Sequence, residues 1–128
     1  MLTIHIISFS YPKGIPEDTA GNGGGFVFDC RFLRNPGQFE KHKEVTGQDK
    51  EVMDFFKGDT EMEAFLHDVF RIIDRAINNY MVREYTHLQV AFGCTGGQHR
   101  SVYCAEQLLK HLKKRNDSIP VIQHREME

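Results

Sequence analysis

Only three cysteines, Cys30, Cys94 and Cys104, occur in the 128 residues, and no two of them form a Cys-x-x-Cys pair. Their odd number excludes a simple disulfide framework, so a reducing, cytoplasmic setting is expected. Charge of one sign is also lacking. Sixteen Lys and Arg against 18 Asp and Glu leave a formal charge of −2, so any attraction for nucleic acid would have to come from a local patch. No apolar run is long enough to span a membrane. The opening residues 1–9 have neither a basic leader nor a cleavage site, and they read as a strand rather than a targeting segment. The histidines and cysteines lack metal-ligand spacing, so neither a metal nor a cofactor is expected. A Gly-x-x-x-x-Gly-Lys-Ser/Thr nucleotide loop and the dinucleotide fingerprint are both absent.

What remains is an ordinary globular composition, 40% hydrophobic and 27% charged, long enough for one domain over residues 1–128. Residues 2–9 are β-branched and apolar and predict a buried strand. A loop from 10 to 25 carries Pro12, Gly14, Pro16, Gly21 and Gly23-Gly24-Gly25. Residues 26–33 predict a second strand that turns at Asn35-Pro36-Gly37, and 38–48 read as irregular. A short helix is expected over about 50–57, with Asp49 before it and Gly58 after it. Thr60 and Glu63 form a capping-box pattern. Behind it Phe65, Leu66, Val69, Ile72, Ile73, Ala76, Ile77 and Tyr80 recur at helical spacing. A third strand covers 88–92. A helix from about Ser101 buries Val102, Ala105, Leu108, Leu109 and Leu112, and a last strand covers 118–123. This alternation predicts an α/β layered domain with a mostly parallel or mixed four-stranded sheet flanked by helices.

The run Val90-Ala91-Phe92-Gly93-Cys94-Thr95-Gly96-Gly97-Gln98-His99-Arg100-Ser101 carries the most chemistry. A strand enters a glycine-bearing loop that opens a helix, so main-chain N–H groups converge where the helix dipole is positive. Thr95 and Ser101 add hydroxyls, His99 a titratable donor and Arg100 a planar cation. Such a loop suits an oxyanion, phosphate above all. In parallel sheets, ligands bind beyond the C-terminal strand ends. That rule gathers the segments Ser8 to Lys13, Asp29 to Arg31, Cys94 to Ser101 and His124-Arg125 at one rim. His5 reads as a core or edge histidine, His42, His67, His87 and His111 as surface residues, and Cys104 as a small core residue.

The spacing Cys94-x5-Arg100-Ser101 also resembles the phosphate loop of tyrosine phosphatases. There a thiolate attacks phosphorus and an arginine clamps its oxygens. Gly93 stands where those enzymes usually carry histidine. Asp54, Asp59 and Asp68 read as caps or helix surface rather than as a general acid. A Cys-dependent phosphatase using Cys94 and Arg100 is therefore the alternative.

Gly93 to Tyr103 with Ala105-Glu106-Gln107-Leu108, together with three further blocks, resembles the C-terminal domain of the RapZ family of RNase adapter proteins. The blocks are Ser8-Phe9 with Lys13-Gly14-Ile15-Pro16, Phe26 through Pro36, and Thr46-Gly47-Gln48-Asp49. The resemblance implies a fold related to a phosphofructokinase subdomain and a noncatalytic sensor or adapter role. It implies glucosamine 6-phosphate, or a similar phosphorylated metabolite, as ligand, and small regulatory RNA as a candidate partner. Relatives assemble into multimers, so a homodimer is expected. By position, the phosphate loop is Cys94 to Ser101, with Asp29, Arg31, His124 and Arg125 at its rim. Full-length relatives carry an N-terminal Walker-loop domain that has no counterpart here, so ATP or GTP binding is not carried over. The family's basic tail is replaced by Glu126-Met127-Glu128, leaving Lys110, Lys113, Lys114 and Arg115 as the candidate RNA contacts.

Overall fold

The computed structural model describes residues 1–22, 24–36 and 45–128. Gly23, the turn residue Gly37, His42 and most of the expected irregular stretch lie outside the described residues. The described chain forms strands β1 (Leu2–Ser10), β2 (Phe26–Asp29), β3 (His87–Cys94) and β4 (Ser118–His124). Its helices are α1 (Lys50–Lys57), α2 (Thr60–Val82) and α3 (Arg100–Leu112). The strand order is β2-β3-β1-β4, and every pairing is parallel. The fold is thus a single α/β domain whose C-terminal strand ends all open onto one rim. Pro120 is accommodated because β4 is an edge strand.

The period-2 alternation of strands divides the sheet into two faces. Leu2, Ile4 and Ile6 of β1 and Leu88, Val90 and Phe92 of β3 face the helices. They pack with Val52 and Phe56 of α1, Leu66, Val69, Ile73 and Ile77 of α2, and Leu108 and Leu112 of α3. Burying each such side chain contributes roughly 1.5–3 kcal/mol. The other face carries His5, Ile7, His87 and Gln89. Parallel sheets are normally covered on both sides; here the chain between β1 and β2 supplies a partial second cover that leaves His5, Val27, His87, Ile119 and Val121 exposed. Gln89 Nε2 donates to the Glu17 carbonyl at 3.3 Å, and the Tyr80 hydroxyl donates to the Gly24 carbonyl at 3.2 Å. A polar cavity of about 660 Å³ remains beneath that cover.

Several expectations need correction. The second strand stops at Asp29, because Leu33 N–H turns back to the Cys30 carbonyl at 3.2 Å. Asp59, not Thr60, caps α2 and accepts from Glu61 N–H and Met62 N–H at 3.0 and 3.2 Å. The third strand runs to Cys94 rather than ending at 92. Ile72 is 43% exposed instead of buried. His111 is no simple surface residue, since it stacks on Phe70 at 4.3 Å and bonds Asp74 at 2.9 Å.

Candidate anion-binding site

Parallel pairing brings the ends of β1, β2, β3 and β4 together. Ser10 pairs with Cys94 across β1 and β3, and its hydroxyl donates to the Thr95 carbonyl at 2.6 Å. The side chains of Phe9 and Tyr11 close over Gly93, where an added Cβ would strike both rings. That contact explains why glycine precedes Cys94, where the phosphatases carry histidine. Arg31 lies over the Tyr11 ring at 3.8 Å and forks onto Asp29 at 2.7–3.1 Å. The Arg31 hydrogen bonds hold the Asp29 carboxyl below the usual range, against a smaller opposing effect of burial.

Inside the loop the reactive groups turn toward the protein. Cys94 is 2% exposed. Its sulfur accepts the Gly97 N–H at 3.2 Å and lies 3.1 Å from Ser101 Oγ. Arg100 is 5% exposed, and its Nη1 donates to the carbonyls of Arg31 at 2.7 Å and Leu33 at 3.0 Å. It therefore fastens the turn that follows β2 to the start of α3. On the far side, Gly47 N–H donates to the Gln98 carbonyl at 2.7 Å. A Cβ at Gly47 would collide with Tyr103 N and the His99 carbonyl, so this glycine permits close approach to the first turn of α3.

The outward charge comes from the neighbouring rim. The Arg125 guanidinium donates to the Gly14 carbonyl at 2.8 Å and to the Glu126 carboxylate at 2.8–2.9 Å. That carboxylate accepts the Ser10 N–H at 2.8 Å and lies 3.6 Å from Lys13 Nζ. Burial pushes the Glu126 acid up, but the Ser10 N–H, Arg125 and Lys13 outweigh it and hold it below its ordinary value. Gly97 sits against this group at φ +72°, where an added Cβ would meet Glu126 Cγ at 2.5 Å and Ser10 N at 2.9 Å. Gly96 faces open space.

His124 reaches the expected rim but is held on both nitrogens. Nδ1 meets Ser8 Oγ at 2.6 Å and Nε2 meets Glu106 Oε2 at 2.6 Å. With Ser8 fully buried, this chain of bonds ties the end of β4 to α3. Thr95, Gly96, Gln98 and His99 lie along the loop as expected. Ser10 falls within the rim segment that the sequence places here, whereas Gly47, Glu106 and Glu126 are additions of the structure. Thr46-Gly47-Gln48-Asp49 was visible as a block, and its closeness to α3 was not. Asp54 pairs with Lys50 at 2.6 Å on α1 and Asp59 caps α2, so neither stands at the loop. Lys110, Lys113 and Lys114 are exposed, whereas Arg115 is bound to Asp117 and Asn78 at 2.8–2.9 Å. Among the described residues no group of three or more His, Cys, Asp or Glu is arranged for a metal ion. No described helix is long and apolar enough to cross a membrane.

Residues 2–128 match the family model for the RapZ C-terminal domain. The chain is 36% identical over 127 residues to a nucleotide-binding protein of Thermotoga neapolitana, covering 99% of this chain and 43% of that protein. A nucleotide-binding protein of Fervidobacterium nodosum is 36% identical over 98% of this chain and 42% of its own length. One from Bifidobacterium adolescentis is 39% identical over 94% of this chain and 37% of its own. The chain thus spans about two fifths of the curated relatives it matches.

Proposed function

This chain belongs to the RapZ C-terminal domain family, and from that premise we infer that it is a noncatalytic sensor or adapter domain for a phosphorylated amino sugar such as glucosamine 6-phosphate. The observation that carries this reading is the convergence, at one rim of a parallel sheet, of the Cys94–Ser101 loop with Lys13 and Arg125. Loop amides, the start of α3 and buried Arg100 supply positive potential from beneath. Lys13 and Arg125 supply it from the side. In this reading Asp29 and His99 would meet the ligand's hydroxyl or amine groups. Coupling to RNA would run through Lys110, Lys113 and Lys114 on the exposed end of α3. A homodimer in the cytoplasm belongs to the same proposal.

Calorimetry tests it. Glucosamine 6-phosphate binds, glucosamine binds at least about a hundredfold more weakly, and inorganic phosphate falls between. Silence of all three ligands ends the proposal. For RNA, a gel shift weakens steeply with salt if phosphate contacts carry the affinity, and a salt-independent shift removes the basic end of α3 from the account. The phosphatase alternative draws on the Gly97 N–H and Ser101 hydroxyl beside the Cys94 sulfur. Turnover of an aryl phosphate that vanishes in Cys94→Ser would establish it.

A further inference from the structure

We propose that Glu126 is a built-in competitor: its carboxylate fills an anion subsite made by the Ser10 N–H, Lys13 and Arg125 beside Gly97, and a phosphate monoester binds there by displacing it. The proposal rests on the phosphate-binding reading above and adds where the phosphate lands and what it must push aside.

Three observations carry it. First, the Ser10 N–H is left over from the sheet. Ser8 is the last residue of β1 paired with β4, and among the described residues the N–H two residues on meets the Glu126 carboxylate, at 2.8 Å. A buried main-chain donor needs a partner, and any oxyanion satisfies it equally well. Second, the charges do not balance. Two cations, Lys13 at 3.6 Å and Arg125 at 2.8 Å, surround one carboxylate whose side chain is 5% exposed. A phosphate monoester carrying about two negative charges matches that pair better than a carboxylate does. Third, the occupant can leave without dismantling the cradle. Arg125 stays anchored by the Gly14 carbonyl at 2.8 Å, and although the Glu126 carboxylate is tucked in, the 3-10 turn Arg125–Met127 that carries it is half-buried to exposed. Because residue 97 is glycine, no side chain of the loop presses on the Glu126 Cγ, which an added Cβ would meet at 2.5 Å.

The test compares wild type, Glu126→Gln, Glu126→Ala and the exposed control Glu128→Gln, each confirmed folded by its melting curve. Inorganic phosphate at pH 8 is the probe, read by calorimetry and by amide resonances. Both Glu126 variants are expected to bind phosphate about tenfold tighter than wild type, with Glu128→Gln unchanged and the Ser10 amide shifting on titration. Binding of equal strength in wild type and both Glu126 variants overturns the competition and leaves the loop reading standing. Tighter binding without movement of the Ser10 amide overturns the assigned subsite. Failure of every variant to bind phosphate overturns this proposal together with the reading beneath it.

Discussion

Arg100 and Arg125 flank the same glycine loop, one from inside the protein and one from its rim, and their surroundings differ. Arg100 is buried and donates to two main-chain carbonyls of the turn after β2. Arg125 is partly open and holds a carboxylate that a ligand could replace. The same contrast runs through their neighbours. Cys94 and Ser101 face each other beneath the loop, while Lys13 and Gly96 face outward. A guanidinium beside a phosphate-type loop is therefore not by itself a phosphate clamp. Its free donors must be counted first.

The largest effect should come from the inner arginine. Arg100→Ala leaves two carbonyls without their donor and is expected to cost about 3 kcal/mol in urea unfolding. Arg100→Lys should recover part of the loss, since a shorter ammonium has to reach two carbonyls that the guanidinium meets through Nη1 alone. A stable Arg100→Ala protein that only loses ligand would reverse the two arginines' roles. Next come the paired glycines. Gly97→Ala combines a positive φ with collisions at Glu126 and Ser10 and should cost about 2 kcal/mol. Gly96→Ala should stay within about 0.5 kcal/mol. Equal effects at the two positions would mean that the loop does not press on the rim.

Acid stability separates the regions more gently. The folded Glu126 acid titrates below its ordinary value of 4.5. Its contribution is therefore fully present above about pH 4.5 and is lost as pH falls through the lower folded value. Glu126→Gln should accordingly flatten the acid limb of a stability–pH curve. An unchanged limb would mean that Ser10 and Arg125 do not hold this carboxylate in solution. The smallest change belongs to Lys13. Its ion pair is long and its side chain is 69% exposed, so Lys13→Ala should leave stability unaltered and weaken phosphate binding by no more than about fivefold.

Much of this was legible in the residues. Alternating apolar strands separated by helical periods implied the α/β layers, and the glycine loop before α3 marked the rim. The residues predict too long a second strand because Phe26 to Leu33 stays apolar at Cys30, Phe32 and Leu33. The turn that ends it is held by Arg100, 67 residues distant from Leu33, and no local pattern reports such a contact. The inward direction of Arg100 was hidden for the same reason. Glu126 stood out only as an acidic departure in a tail expected to be basic. Placing it required the register that sets Ser8 beside His124 and so brings the next residues alongside Ser10. Asp59 and Thr60 are both good capping types, so the residues alone do not choose between neighbours, and the structure seats Asp59 at the cap.

The most direct measurement is the affinity of Arg125→Gln for glucosamine 6-phosphate, read beside its melting temperature. The rim account predicts at least about tenfold weaker binding with the melting point within about 5 °C of wild type. Unaltered affinity in a folded Arg125→Gln protein would contradict it.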